Sequence, residues 1–135
     1  MSKRVHIAID AMSGENSPKK IVDGIEISLN KNKENFFILY GQKDVLVKEI
    51  ANKKIIKENC EIIHTPDVIK DDESPLSATK SGKESSMWKA ISAQKDNRAD
   101  ISLSAGNTGA LLLMSRLILN TIDGIDKPAL AGLWP

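Results

Sequence analysis

Short apolar runs alternate with amphipathic stretches along the chain. The apolar runs are rich in β-branched and aromatic residues and are four to six residues long, which is typical of buried strands. They lie at residues 5–10, 36–41, 60–65 and 100–104, and a fifth begins in "ALAGLW", residues 129–134. This pattern predicts five strands, of which the last starts close to the end of the sequence.

The stretches between these runs repeat their apolar residues every three or four positions, as amphipathic helices do. Helices are predicted over residues 17–31, 43–55, 76–94 with a break near Gly82, and 109–122. Because strands that alternate with helices form parallel sheets covered on both faces, the chain is predicted to be an α/β protein with a doubly wound, Rossmann-like parallel sheet.

Length and charge exclude several classes of protein. The 135 residues, of which 41% are hydrophobic, fit a single domain over residues 1–135. The 19 basic residues are scattered and balance 18 acidic ones, and only 4% of the residues are aromatic, so no nucleic-acid partner is expected.

One cysteine, Cys60, has no partner for a disulfide and no neighbours at zinc-ligand spacing, so a reducing compartment and no metal are predicted. The opening "MSKRVHIAID" lacks the apolar core of a signal peptide, and no run reaches the ~18 apolar residues of a membrane span, which favours a cytoplasmic protein.

Two turns after predicted strands carry candidate chemistry, because parallel sheets bind ligands at the carboxyl ends of their strands. In "SAGNTG", residues 104–109, the two glycines allow close backbone approach, and Asn107 or Thr108 is a candidate helix cap. The turn "DAMSGENSP", residues 10–18, has a similar build, with Gly14 in the turn and Asn16 or Ser17 as a candidate helix cap. Each is predicted to be either an anion site at a helix N-terminus or a capped turn without a ligand.

Other candidate groups have structural alternatives. Asp10, at the end of the first strand, is either a turn former or a ligand for a metal or a donor group. His64 follows the third predicted strand at the same edge of the sheet. It is either a packing residue or a group that polarises a substrate, whereas His6 is interpreted as a partly buried filler. No G-x-G-x-x-G or Walker A motif occurs, so no nucleotide or other cofactor is predicted.

Four segments carry a resemblance to a known family. They are "AIDAMSGENSPKKIVDG", "PLSATKSGKESSMWKA", "SAGNTGALL" and "GIDKPALAGLWP", in this order along the chain. Together they resemble the PlsX phosphate acyltransferases of fatty-acid and phospholipid synthesis. The resemblance implies transfer of a fatty acyl group from acyl-acyl-carrier protein to inorganic phosphate, and a fold like that of the isocitrate and isopropylmalate dehydrogenases.

The resemblance also assigns roles to residues at matching positions. It implies catalytic roles for Asp10, Lys83 and Asn107. It further implies contacts to phosphate or substrate by Gly14, Ser85, Ser86, Ser104, Gly106, Thr108, Gly109 and Lys127. For the full-length enzyme it implies a homodimer and leaves peripheral association with the inner membrane face open.

The chain departs from the family in two respects. Ser13, Gly14 and Glu15 stand where the family has Gly-Gly-Asp, and family members are more than twice as long. The sequence is therefore interpreted as the incomplete N-terminal part of such an enzyme. The alternatives are another enzyme of this fold, such as a phosphotransacetylase or a metal-dependent dehydrogenase, or a non-catalytic fragment that pairs with a missing C-terminal part.

Overall fold

The computed structural model describes residues 4–133, which form one parallel sheet with helices on both faces. The strands are β1 His6–Asp10, β2 Phe36–Gly41, β3 Cys60–His64 and β4 Ile101–Ser104. The helices are α1 Lys19–Lys31, α2 Lys43–Glu49, α3 Lys54–Glu58, α4 Pro75–Ser81, α5 Ser86–Lys95 and α6 Thr108–Leu119. The predicted α/β class and the four strands up to residue 104 are confirmed.

The spatial order of the strands is β3-β2-β1-β4, and all neighbours are parallel. The chain adds strands on one side of β1 as far as β3 and then crosses over to place β4 on the other side. Such a reversal leaves a crevice at the carboxyl ends of the two strands between which it occurs, here β1 and the edge strand β4.

Each face of the sheet has its own apolar layer, because successive residues of a strand point to opposite faces. On one face, Ile9 and Leu39 pack against Val22 and Leu29 of α1, with α2 and α3 beside them. On the other face, small residues of α5 cover β1 and β2. A third layer joins α4, α5 and α6 around Met87, Ile91 and Met114.

The predicted helix over residues 43–55 is wrong in one respect, since the structure divides it into α2 and α3. Leu46 and Ile50 lie one turn apart and are both buried, but in an unbroken helix Ile56 would point about 120° to one side of Ile50. The turn between α2 and α3 brings Ile56 into the core. The break predicted near Gly82 is confirmed, because α4 ends there and a short 3₁₀ turn, Gly82–Glu84, leads to α5.

Three further expectations differ from the structure. Helix α1 begins at Lys19, after Pro18, and neither Asn16 nor Ser17 caps it with a side chain. Helix α6 ends at Leu119, where Asn120 has a positive φ of 64°. Residues 129–133 form no strand, because they lie exposed and have no ladder partner, and Trp134 lies outside the described residues.

Candidate functional site

Asp10 and Ser104 lie opposite each other in the register of β1 and β4, at the carboxyl ends of both strands. The crevice at the reversal of strand order therefore begins at these two residues. Each strand ends here in a turn with polar residues. The apolar residues just before Asp10 in β1 are buried, whereas Ile101 and Leu103 in β4 are half exposed.

The carboxylate of Asp10 is fully buried and accepts three hydrogen bonds. Ser86 Oγ donates to Oδ1 at 2.6 Å, Ser104 Oγ donates to Oδ2 at 2.8 Å, and the backbone N–H of Met12 donates to Oδ1 at 3.4 Å. Ser86 is also fully buried. The structure thus brings together three of the predicted residues, and it joins the ends of β1 and β4 to the start of α5.

Ser104 connects Asp10 to the turn that follows β4 through two hydrogen bonds. Its hydroxyl donates to Asp10 and accepts from the backbone N–H of Gly106 at 3.1 Å. This N–H is therefore already paired within the protein, and Gly106 contributes the shape of the turn.

The turns after β1 and β4 contact each other through their glycines. A Cβ at Gly106 would lie 2.5 Å from Ser13 Cβ, and a Cβ at Gly14, which has φ +95°, would lie 2.8 Å from the carbonyl oxygen of Ala105. Both distances are too short for a side chain. Ser13 Oγ is buried here and has no hydrogen-bond partner within residues 4–133.

Asn107 has two structural contacts. Its Oδ1 accepts from the N–H of Ala110 at 3.0 Å and so caps α6, as one of the two predicted caps. Its Nδ2 lies within hydrogen-bond distance of the carbonyl oxygens of Lys70, Asp71 and Glu73, at 3.2, 3.3 and 2.7 Å. The side chain therefore holds the loop before α4 against the start of α6.

The first two residues of α6, Thr108 and Gly109, have N–H groups that donate to no acceptor in the described part of the chain. Gly109 also allows close packing, since a Cβ there would lie 2.6 Å from Pro75 Cγ. A pocket of about 260 Å³ adjoins this helix start and is lined by Gly109, Leu112, Leu113, Arg116, Lys127 and Pro128. Two predicted residues, Gly109 and Lys127, thus share a pocket.

The two remaining predicted residues, Ser85 and Lys83, differ in burial. Ser85 is fully buried, donates to the carbonyl oxygen of Gly82 at 2.6 Å and caps α5 by accepting from the N–H of Trp88. Lys83 is exposed on the 3₁₀ turn two residues earlier. The contacts of Ser85 are those of a helix cap, and Lys83 reaches solvent.

Sequence reasoning missed Lys20, which lies with Ser104 and Ala105 along one pocket. Lys19 and Lys20 occupy the first turn of α1, which contains no acidic residue. Cations are unfavourable at a helix N-terminus because the helix dipole is positive there. Lys19 is paired with Asp23, so Lys20 is the cation at this helix start whose unfavourable position a bound anion would offset.

The other reactive side chains lie away from this crevice or are inactive. Burial raises the pKa of the Cys60 thiol to about 11, so the nucleophilic thiolate is scarce at neutral pH. His64 is exposed at the end of β3, and its Nδ1 accepts from the N–H of Lys43 at the start of α2 at 3.2 Å. His6 lies against the ring of Phe36, as expected of a partly buried residue.

Residues 4–133 show neither a cluster of metal ligands nor a membrane-spanning helix. These residues contain no group of three or more His, Cys, Asp or Glu side chains placed to hold a metal ion. None of their helices has the length and apolar character needed to cross a membrane.

Comparison with known proteins gives one consistent family. The model of the family described as "Fatty acid synthesis protein" matches residues 5–135. A phosphate acyltransferase of Pelagibacter ubique is 49% identical over all 135 residues, and those of Rhodopseudomonas palustris (strain HaA2) and Nitrobacter hamburgensis are 43% and 41% identical over 136 aligned positions.

These alignments cover the whole of this chain but 40%, 38% and 38% of the three relatives. The chain thus spans about two fifths of the length of the relatives it matches. The resemblance read from the four motifs is confirmed, since the relatives are named as phosphate acyltransferases. The chain belongs to the fatty acid synthesis protein family.

Proposed function

We propose that the chain forms one wall of a phosphate acyltransferase that moves a fatty acyl group from acyl-acyl-carrier protein to inorganic phosphate. The family match and the names of the relatives support acyl transfer in lipid synthesis. The observation that carries the phosphate site is the start of α6, where the N–H groups of Thr108 and Gly109 have no acceptor in the described residues. Gly109 also lines the pocket that contains Arg116 and Lys127.

The proposed site suits phosphate for electrostatic reasons. N–H groups at the start of a twelve-residue helix carry partial positive charge, and two cationic side chains in the adjoining pocket add to it. Thr108 and Gly109 would donate to phosphate oxygens, while Lys127 and Arg116 would balance its negative charge. Gly14 and Gly106 would shape the neighbouring turns without contacting the anion.

The reaction requires that the two substrates be positioned correctly, and it does not require a nucleophilic side chain. An oxygen of HPO₄²⁻ attacks the thioester carbonyl carbon, a C–O bond forms, and the C–S bond breaks. The proton of the phosphate passes to the departing sulfur, so acyl phosphate and a free thiol result. No enzyme nucleophile is needed, which agrees with the raised pKa of Cys60.

Asp10 and the serines are assigned indirect roles in this proposal. Because Asp10 is fully buried and holds Ser86 and Ser104, we propose that it is a positioning residue that fixes the turn before α6. Asn107 fixes the same turn from the other side as the cap of α6. Lys83 is exposed beside these buried groups and would meet a substrate that arrives from solvent.

The surroundings of the reaction follow from the same proposal. The carrier protein would deliver the acyl group to the carboxyl edge of the sheet in the cytoplasm, with the full-length enzyme acting as a homodimer. Peripheral contact with the inner membrane face would place the product near glycerolipid synthesis. These parts rest on the resemblance alone.

A chimera tests the proposal. This chain would replace the aligned two fifths of the Pelagibacter ubique enzyme, and acyl phosphate would be trapped with hydroxylamine after addition of acyl-carrier thioester and phosphate. Lys127→Gln should lower kcat/KM for phosphate about ten- to hundredfold, since a charge-assisted hydrogen bond contributes about 1.5–3 kcal/mol. Lys95→Gln is the matched control, because Lys95 is exposed at the end of α5, away from the carboxyl ends of the strands.

The two variants separate the outcomes. Equal activity of both would remove Lys127 from the phosphate site. A chimera that folds but forms no acyl phosphate would contradict the proposed function and favour a non-catalytic role for this chain.

A further inference from the structure

The hydroxyl group of Ser13, in the turn after β1, is buried and unpaired. Ser13 is 2% exposed, and its Oγ has no hydrogen-bond partner within residues 4–133. Buried hydroxyl groups are normally paired, because an unpaired one loses its hydrogen bonds to water and gains none from the protein. A group of this kind at the ligand edge of a parallel sheet points to an acceptor on a bound molecule.

The turn after β1 is held by other hydrogen bonds and does not need this hydroxyl. The carboxylate of Asp10 accepts from two serine hydroxyls of other elements and from the N–H of Met12, and none of these donors is Ser13 Oγ. The carbonyl oxygen of Ser13 accepts from Ser17 Oγ at 2.6 Å, which closes the turn. The Ser13 hydroxyl is therefore left over once the turn is built.

Ser13 Oγ faces the turn that leads into α6. A Cβ at Gly106 would lie 3.2 Å from Ser13 Oγ, so the two turns are in contact at this point. Thr108, two residues after Gly106, is the first residue of α6, and two residues span at most about 7 Å of chain. The N–H groups of Thr108 and Gly109 have no acceptor in the described residues. A buried hydroxyl and two N–H groups, all without an acceptor there, thus lie in one short region.

The surroundings of these donors favour an anion with several oxygen atoms. The start of a twelve-residue helix carries partial positive charge, and Lys20 lies with Ala105 of the same turn along one pocket. Inorganic phosphate presents several acceptor oxygens around one atom. We propose that Ser13 Oγ donates a hydrogen bond to phosphate bound at the start of α6, so that the turn after β1 forms a second side of the phosphate site. The inference rests on the proposed function and adds a binding residue to it.

Ser13→Ala should have opposite effects on the free and the phosphate-bound protein. Without phosphate, it removes an unpaired buried hydroxyl and keeps the Cβ, so the Tm of the 135-residue chain should stay constant or rise. With phosphate, it removes a donor to a charged group, so the Kd for phosphate should rise about tenfold. The Kd is obtained from the increase of Tm with phosphate concentration, measured against sodium chloride at equal ionic strength.

Thr65 offers a matched control, because its Oγ1 is the other buried side-chain atom without a partner in residues 4–133. Thr65 is 1% exposed and follows β3, which lies two strands from β1 and therefore about 10 Å away. Thr65→Val removes the hydroxyl at nearly constant shape. It should affect the Tm without phosphate as Ser13→Ala does, but it should leave the Kd for phosphate unchanged.

Each result of the titration supports or overturns the proposal. A Kd raised by Ser13→Ala and not by Thr65→Val supports it. An equal Kd for the two variants overturns it and makes the Ser13 hydroxyl a packing group. A chain whose Tm does not rise with phosphate also overturns it.

The chimera and Lys127→Gln separate this inference from the proposed function. In the chimera, Ser13→Ala should raise the KM for phosphate about tenfold with little change in kcat. A lower kcat at constant KM would place the hydroxyl on the thioester oxygen and overturn the proposal. Phosphate binding that depends on Ser13 but not on Lys127 would contradict the Lys127 pocket and keep the Ser13 contact. An inactive chimera would contradict the proposed function, and the titration of the 135-residue chain would still decide the role of Ser13.

Discussion

The two sides of β4 differ sharply in how their polar and apolar groups are satisfied. Toward β1, Ser104 lies in a network with Asp10 and Ser86 in which the carboxylate receives three hydrogen bonds and is fully buried. On the outer side, Leu103 and Ile101 are half exposed and the backbone has no strand partner in the described structure. The polar groups of the inner side are paired within this chain, whereas the outer side leaves apolar and backbone groups uncovered in the described residues.

This difference predicts that substitutions of similar size will have very different effects on stability. A change on the inner side leaves buried groups unpaired or overlapping. A change on the outer side alters groups that already contact solvent. Urea unfolding of the isolated chain measures both.

The largest effect is expected for Asp10→Ala, because it removes the acceptor of the fully buried Ser86 hydroxyl and of the part-buried Ser104 hydroxyl. Each buried unpaired polar group costs about 1–3 kcal/mol, so the free energy of unfolding should fall by about 3 kcal/mol or more. Asp44→Ala, at the start of the exposed surface of α2, is the control and should change it by less than about 0.5 kcal/mol. Similar values for both variants would show that the Asp10 network does not stabilise the fold.

Gly106→Val should follow, since its Cβ would lie 2.5 Å from that of Ser13 and force the two turns apart. Overpacking of this kind costs about 1–3 kcal/mol. Gly132→Val is the matched control because no atom lies within 4 Å of its Cβ position. If Gly106→Val unfolds at the same urea concentration as the control, the two turns are not in contact in solution.

Asn107→Ala should cost about 1–2 kcal/mol through loss of the α6 cap and of the contacts to the loop before α4. Asn107→Ser separates the two, because serine can cap the helix but cannot reach the loop carbonyls. It should recover about half of the loss. Full recovery would mean that the loop contacts contribute nothing.

Leu103→Lys should have the smallest effect on the isolated chain, within about 0.5 kcal/mol, because a half-exposed edge position accepts a long polar side chain. Leu39→Ala on the buried β2 is the contrast and should cost about 2–5 kcal/mol. A loss of more than about 2 kcal/mol for Leu103→Lys would show that the outer side of β4 is covered within this chain.

The fold was largely predictable because its signals are local. Each strand up to residue 104 is a compact apolar run, and glycine at 82 marks a real break between helices. The division of residues 43–55 was not predictable, since a helix with Leu46 and Ile50 on one face looks continuous until Ile56 has to be placed against the sheet. The strand expected at residues 129–134 failed for a related reason, because a strand needs a neighbour as well as an apolar run.

The site was predictable only as a set of residues near one edge. The turns after β1 and β4 were expected to lie together, and the register of Asp10 with Ser104 shows that they do. The predicted residues divide between a buried network, helix caps and the Lys127 pocket. This division depends on contacts between distant parts of the chain, which no local pattern shows. Lys20 could have been found from the unfavourable charge at the start of α1.

The Asp10 network also bears on the order of folding. Its two serine contacts join residues separated by 76 and 94 positions, so each closes a long loop of chain. Contacts of such high sequence separation are entropically costly to form early, and we expect them to appear after β1 and β2 have paired. A destabilising change at Asp10 should then leave the refolding rate nearly unchanged and act almost entirely by speeding unfolding, with a φ-value near zero. The same carboxylate that fixes the crevice would thereby set how long the folded chain persists before it opens.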